Sequence, residues 1–207
     1  MNLLRLKIKK EYIFLILFNG LYVLGFTLCY ILTLNYEFLM NSVTIIFLLL
    51  IICLTSNLTK FSNYILWLLS FAGFLHMAGG GIIIKGKVLY SLDFFHIVGS
   101  GDSFILRFDQ ISHFYGMFIM TIIAYHLLNI YLVKDKKSFF TYIATFFIGI
   151  GWGALVEIGE LFMVVFVTET GVGGYFNNAI DLVFNALGAI CAVIFLYIKN
   201  KRAQRFL

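Results

Sequence analysis

Glu157 and Glu160 stand three residues apart in Gly151-Trp-Gly-Ala-Leu-Val-Glu157-Ile-Gly-Glu160, inside a long apolar run. Ionisable groups at membrane depth are costly and need a partner or a wet cavity, so they are candidates for function by default. The i, i+3 spacing puts both carboxylates on one helix face. Further along the chain, Asp181 and Asn185 are four residues apart, with Gly188 continuing that face. Upstream, Asp109 and His113 form another i, i+4 pair directly after Arg107, and His76 precedes the Gly79-Gly80-Gly81 run. Carboxylates and imidazoles of this kind are ligands for a divalent metal. They are equally an acid–base pair with split proton affinities, or a structural network in which Arg107 and the histidines neutralise the acids.

These groups must be positioned by membrane helices. The chain has 207 residues, of which 62% are hydrophobic and 12% charged; soluble domains carry about 25% charged residues. The fold class expected is all-α, a polytopic membrane helical bundle read as one integral-membrane domain over residues 1–207. Six transmembrane helices are expected, at about 12–34, 42–56, 64–84, 111–133, 139–166 and 179–198. The basic N-terminus with a long run after it reads as an uncleaved first span, because the run exceeds a signal-peptide core and no small-residue cleavage site follows. Proline is absent, so glycines do the shaping, and Gly149 with Gly153 is a small-xxx-small packing pair.

Charge sets the orientation. With the N-terminus inside, twelve of the fifteen basic residues fall in inner segments: four before residue 11, Lys60, three within 134–137, and four after 198. Only Lys85, Lys87 and Arg107 fall outside. By the positive-inside rule both termini are cytoplasmic. The net charge of +5 therefore reflects topology and attraction to anionic headgroups; no nucleic-acid partner is expected. Cys29, Cys53 and Cys191 lie far apart in apolar runs and read as packing residues.

In this topology spans three to six each bring polar groups to the outer half of the membrane, and spans one and two bring none. The candidate catalytic set is Glu157, Glu160, His113 and Asp181. The candidate substrate-binding set is Arg107, Asp109, Asn185 and His76. A divalent metal is a candidate cofactor at His76, His113, Glu157, Glu160 and Asp181, although no H-E-x-x-H type of spacing marks one. His126, in the inner half of span four, reads as a packing histidine. His96 sits in the outer loop, and Asp102 suits a turn. The loop 85–110, extracytoplasmic in this topology, carries the apolar stretch 88–98 and is a candidate lid.

The run Arg107-Phe-Asp109-Gln-Ile-Ser-His113-Phe-Tyr-Gly116 resembles the signature of the YjdF-like bacterial inner-membrane proteins. His76 with Gly79-Gly80 and the pair Glu157 and Glu160 are similar to further motifs of that family. The segment from Glu160 through Asp181, Asn185 and Gly188-Ala189 also resembles VanZ-like membrane proteins. The resemblance spans about residues 70–195. It implies a multi-pass protein of the bacterial cytoplasmic membrane and, on the VanZ-like side, a link to the cell envelope; it names no reaction. The segment from Thr168 to Asn178 departs from the family's G-D-x-x-D-T-Q-type loop, so no acidic ligand is implied there.

Three classes of function remain open. The leading one is binding or modification of an envelope lipid or other amphiphilic small molecule entering from the outer leaflet, with membrane lipids as partners. The second is ion- or proton-coupled transport, and the third is a structural accessory subunit. Sequence leaves the oligomeric state open.

Overall fold

A computed structural model describes residues 10–96, 105–132, 138–166 and 174–205. Seven helices dominate them: α1 (Lys10–Leu32), α2 (Tyr36–Leu54), α3 (Ser56–Thr59), α4 (Asn63–Gly81), α5 (Phe108–Tyr131), α6 (Phe139–Phe166) and α7 (Tyr175–Arg205). Five of these, α1, α4, α5, α6 and α7, are long and apolar enough to cross a membrane. The expected second span is the difference. The apolar part of α2, Phe38–Leu54, is shorter than the others. At 1.5 Å per residue it reaches about 25 Å against a hydrocarbon core of about 30 Å.

The expected outer loop is not wholly irregular. Strands β1 (Ile83–Ile84) and β2 (Lys87–Val88) form a tight hairpin, and β3 (Asp93–His96) pairs antiparallel with β4 (Ile105–Arg107). Lys85 and Gly86 turn the first hairpin with φ of 51° and 79°. Two consecutive positive-φ residues are what a two-residue hairpin of matching twist demands, and glycine supplies the second without strain. The candidate lid stretch is described only up to His96, and Asp102 lies outside the described residues.

The chain divides into two compact units, Met1–Ile82 and Ile83–Leu207. In the first, α4 packs on α1 and α2. Its glycines are where aromatic rings enter: a Cβ on Gly80 would stand 2.0 Å from the Phe38 ring, and one on Gly81 would stand 2.3 Å from Phe26. Buried polar groups also lie on α1 and α2. Asn19 Nδ2 donates to Ser70 Oγ at 2.7 Å, the Tyr22 hydroxyl donates to Asn19 Oδ1 at 2.8 Å, and Ser42 is buried on α2. An isolated Asn in an apolar run carries no periodic signal, so only its packed partner reveals it.

In the second unit α5, α6 and α7 form a three-helix bundle. Gln110 meets Asp181, His113 meets Asn185, and Asn200 meets Tyr125. The two series rise together, so α5 and α7 are parallel. Tyr142 meets Asn200 while Glu157 meets Asn185, so α6 is antiparallel to both. Small residues allow the close approach. A Cβ on Gly188 would lie 2.2 Å from the Phe114 carbonyl oxygen, and one on Gly149 would lie 2.1 Å from Thr121 Oγ1. The outward faces of these helices are apolar: Phe147, Leu155, Ile158, Leu161, Val183 and Ile194 are all exposed. Polar groups inside and apolar groups outside is the arrangement a lipid solvent selects.

Candidate functional site

The polar cluster occupies one end of the α5–α7 bundle, close to the N-termini of α5 and α7. Asp109 lies in the first turn of α5, where the free N–H groups and helix dipole favour a carboxylate. Gln110 ties the helix start to the cluster. Its Oε1 accepts from the Arg107 backbone N–H at 2.8 Å, the reciprocal half of a capping box. Its Nε2 donates to Asp181 Oδ1 at 2.7 Å and to Asn177 Oδ1 at 3.3 Å. Asn177 Nδ2 in turn donates to Asp181 Oδ2 at 2.5 Å and to Asp109 Oδ2 at 3.1 Å. Asp181 is fully buried, and two amides hold both its oxygens.

Glu157 reaches in from α6. Asn178 Nδ2 donates to its Oε2 at 2.8 Å and Asn185 Nδ2 to its Oε1 at 2.9 Å. Gly153, one helical turn earlier, makes this possible: a Cβ there would meet Asn185 Cβ at 2.9 Å. The packing role expected for Gly149 and Gly153 therefore extends to shaping the site.

His113, 7% exposed, is at the centre. Its Nδ1 lies 3.2 Å from Asn185 Oδ1 and 3.2 Å from Glu157 Oε1. Its Nε2 lies 3.6 Å from Asp109 Oδ1 and 3.4 Å from Glu160 Oε1. Glu157 and Asp181 are buried, whereas Asp109 and Glu160 keep about a quarter of their side chains exposed (22% and 26%). The cluster is thus closed on the Glu157 side and more open on the Asp109–Glu160 side.

The structure assembles seven of the eight candidate residues in the second unit. Six form the cluster itself: Asp109, His113, Glu157, Glu160, Asp181 and Asn185. Arg107 caps its edge, where Nε donates to Asp93 Oδ1 at 2.9 Å across the β3–β4 pair, with Lys87 Nζ 3.4 Å from the other oxygen. The Arg107 hydrogen bond holds the Asp93 carboxyl below its ordinary value of 3.8. His76 stands half-buried on α4 of the first unit, and the cluster above is built wholly from the second. His126 is half-buried on α5, beyond the cluster.

Gln110, Asn177 and Asn178 join the site although the sequence does not single them out. Position is their signal: Gln110 lies three residues before His113 on the same α5 face, and Asn177 and Asn178 sit within a helical turn of Asp181. The helix α7 begins at Tyr175 rather than at about 179, because the polar Asn177 and Asn178, which read as loop in the sequence, are helical. A second polar group closes the opposite end of the bundle. Asn200 Nδ2 donates to the Tyr125 and Tyr142 hydroxyls at 2.6 and 2.8 Å, and those two rings stack at 5.8 Å.

Long apolar helices with lipid-suited faces around a buried polar cluster define an integral membrane protein. The chain belongs to the family described as "Predicted membrane protein (DUF2238)", which matches residues 14–202 and is the YjdF-like family. No curated protein and no solved structure matches the chain.

Proposed function

We propose that the α5–α7 cluster binds, and acts on, the polar head of an envelope amphiphile at the outer face of the bacterial cytoplasmic membrane. The protein then crosses the membrane six times, with α2 as the second, short span and both termini inside. The inside assignment of the Asn200 end rests on Lys199, Lys201 and Arg202 beside it.

One observation carries the reading, the depth of the cluster. Asp181 and Asn200 are nineteen residues apart on one continuous helix, which is about 28 Å at 1.5 Å per residue. That is about one hydrocarbon thickness. If Asn200 and the tyrosines lie at the inner interface, where such rings anchor, the carboxylates lie at the outer interface. That is headgroup depth, and the more exposed Asp109 and Glu160 are the groups an incoming headgroup meets.

Transport is less well supported. Between the two polar ends the buried side chains include the apolar Met117, Ile119, Ile122, Ala189 and Ala192. The buried Thr121 and Thr145 hydroxyls bond back to carbonyls of their own helices. This leaves no chain of free polar groups among the described residues along which an ion would step.

The test is lipid retention. Full-length protein in nanodiscs of phosphatidylethanolamine and phosphatidylglycerol is compared with Asp109→Asn and Glu160→Gln, at the more exposed positions, by native mass spectrometry after detergent release. The wild type is expected to keep at least one phospholipid that both variants lose at unchanged melting temperature. Equal retention in all three, or none in the wild type, refutes the reading.

A further inference from the structure

The β1–β2 hairpin leaves isoleucine uncovered. Ile83 is 61% exposed and Ile84 37%. Successive residues of a strand point to opposite faces, and the register pairs Ile83 with Val88 and Ile84 with Lys87. One face therefore carries the apolar Ile83 and Val88. The other carries Ile84 and Lys87, and Lys87 Nζ lies 3.4 Å from Asp93 Oδ2. That ion pair turns the second face toward the β3–β4 pair and leaves the Ile83 face outward. Between the strands stands the exposed turn of Lys85 and Gly86.

Chain length decides what the outward face meets. Helix α4 has 19 residues, about 28 Å at 1.5 Å per residue. As a span it is no longer than the hydrocarbon core of about 30 Å, so its end at Gly81 lies at a membrane surface. Ile83 follows two residues later, at most about 7 Å of extended chain. The headgroup layer is about 5–7 Å deep on each side of the core. The hairpin therefore starts within the headgroup layer, where taking Ile83 out of water is favourable. Lys85 adds charge complementarity. Its ammonium suits a lipid phosphate, and its long stem lets it reach one while the neighbouring isoleucine points into acyl chains.

We infer that the β1–β2 hairpin is an interfacial anchor, docked on the phospholipid surface through Ile83 and Val88 with Lys85 on a phosphate. The anchor is tied to α5. Past Val88, the Tyr90 ring meets Phe108 edge-on at 6.1 Å, and the Asp93 carboxylate pairs with both Lys87 and Arg107. Phe108 is the first residue of α5 and Arg107 its N-cap. The docked hairpin thus holds the start of α5 at headgroup level. This goes beyond the headgroup-binding reading and stands without it, because it concerns the depth of the hairpin and not the ligand of the carboxylates.

The experiment reads depth by tryptophan quenching. Trp67 and Trp152, the two native tryptophans, are replaced by phenylalanine in the full chain, and Ile83→Trp, Val88→Trp or Ile84→Trp is added singly. Each protein is reconstituted in bilayers of phosphatidylcholine and phosphatidylglycerol, with and without lipid brominated high in the acyl chain, and is also titrated with aqueous acrylamide. Ile83→Trp and Val88→Trp are expected to lose most of their emission to the brominated lipid and little to acrylamide, and Ile84→Trp to be quenched less by the lipid. Lys85→Asn removes the charge yet suits the φ of 51°, and is expected to weaken the lipid quenching of Ile83→Trp. Acrylamide quenching of both face reporters like that of free tryptophan, with none by brominated lipid, overturns the anchor. Equal lipid quenching at Ile83 and Ile84 overturns the face assignment, and quenching unchanged by Lys85→Asn overturns the phosphate contact. Two reporters on one face keep the test decisive where one of them fails to fold.

Discussion

The contact between α5 and α7 turns on one missing side chain, and its consequence is calculable. Gly188→Ala places a Cβ 2.2 Å from the Phe114 carbonyl oxygen and 3.1 Å from the Phe118 nitrogen. Both are backbone atoms, so no rotamer change relieves the clash. The helices must part by about 1 Å to reach ordinary contact. Overpacking of this kind costs about 1–3 kcal/mol, and the backbone obstacle puts it at the upper end. For a chain of about 200 residues, about 3 kcal/mol corresponds to a fall of about 6–12 °C in Tm. The same displacement stretches the 3.2 Å His113–Asn185 contact past hydrogen-bonding range, which ends near about 3.5 Å. Gly116→Ala is the internal control: its Cβ would meet nothing within 4 Å, and alanine is the better helix former by up to about 1 kcal/mol. Thermal unfolding of both variants in one detergent, followed by fluorescence-detected size exclusion, separates the cases. If Gly188→Ala melts with the wild type, or if both variants fall equally, the helix contact does not have the closeness argued here.

Two further outcomes follow from individual contacts. Gly80→Ala drives a Cβ to 2.0 Å from the Phe38 ring, so it should lower Tm by several degrees; Phe38→Ala in the same chain should recover part of that loss, a coupling that a double-mutant cycle measures. Asp93 is held below its ordinary value of 3.8 chiefly by the Arg107 hydrogen bond, so its contribution to the β3–β4 pair is full above that value and is lost as pH falls through the lowered one. Amide protection in Asp93–His96 and Ile105–Arg107, taken relative to the intrinsic exchange rate at each pH, should therefore be steady from neutral pH to about 4 and fall below it, and Asp93→Asn should abolish the change; a pH-independent wild-type protection would refute the assignment.

The amino-acid sequence by itself determined the class and the raw materials of the site. Apolar runs without charges can be stable only in lipid or a deep core, so the helices and most of their limits were legible from composition alone. The acids and His113 were legible because a charge in such a run has no cheap alternative. Their helical spacing put Glu157 with Glu160, Asp109 with His113, and Asp181 with Asn185 on common faces. The tertiary structure decided what those faces meet. The parallel pairing of α5 with α7, licensed by Gly188, brings Gln110 to Asp181 and His113 to Asn185, and no local pattern encodes a partner seventy residues away. Nothing in the sequence marks Asn177, Asn178 or Asn19, because an amide acquires its role only from the buried acceptor or hydroxyl it reaches. The Asn185 amide reaches both His113 and Glu157, and only the folded bundle sets those three side by side.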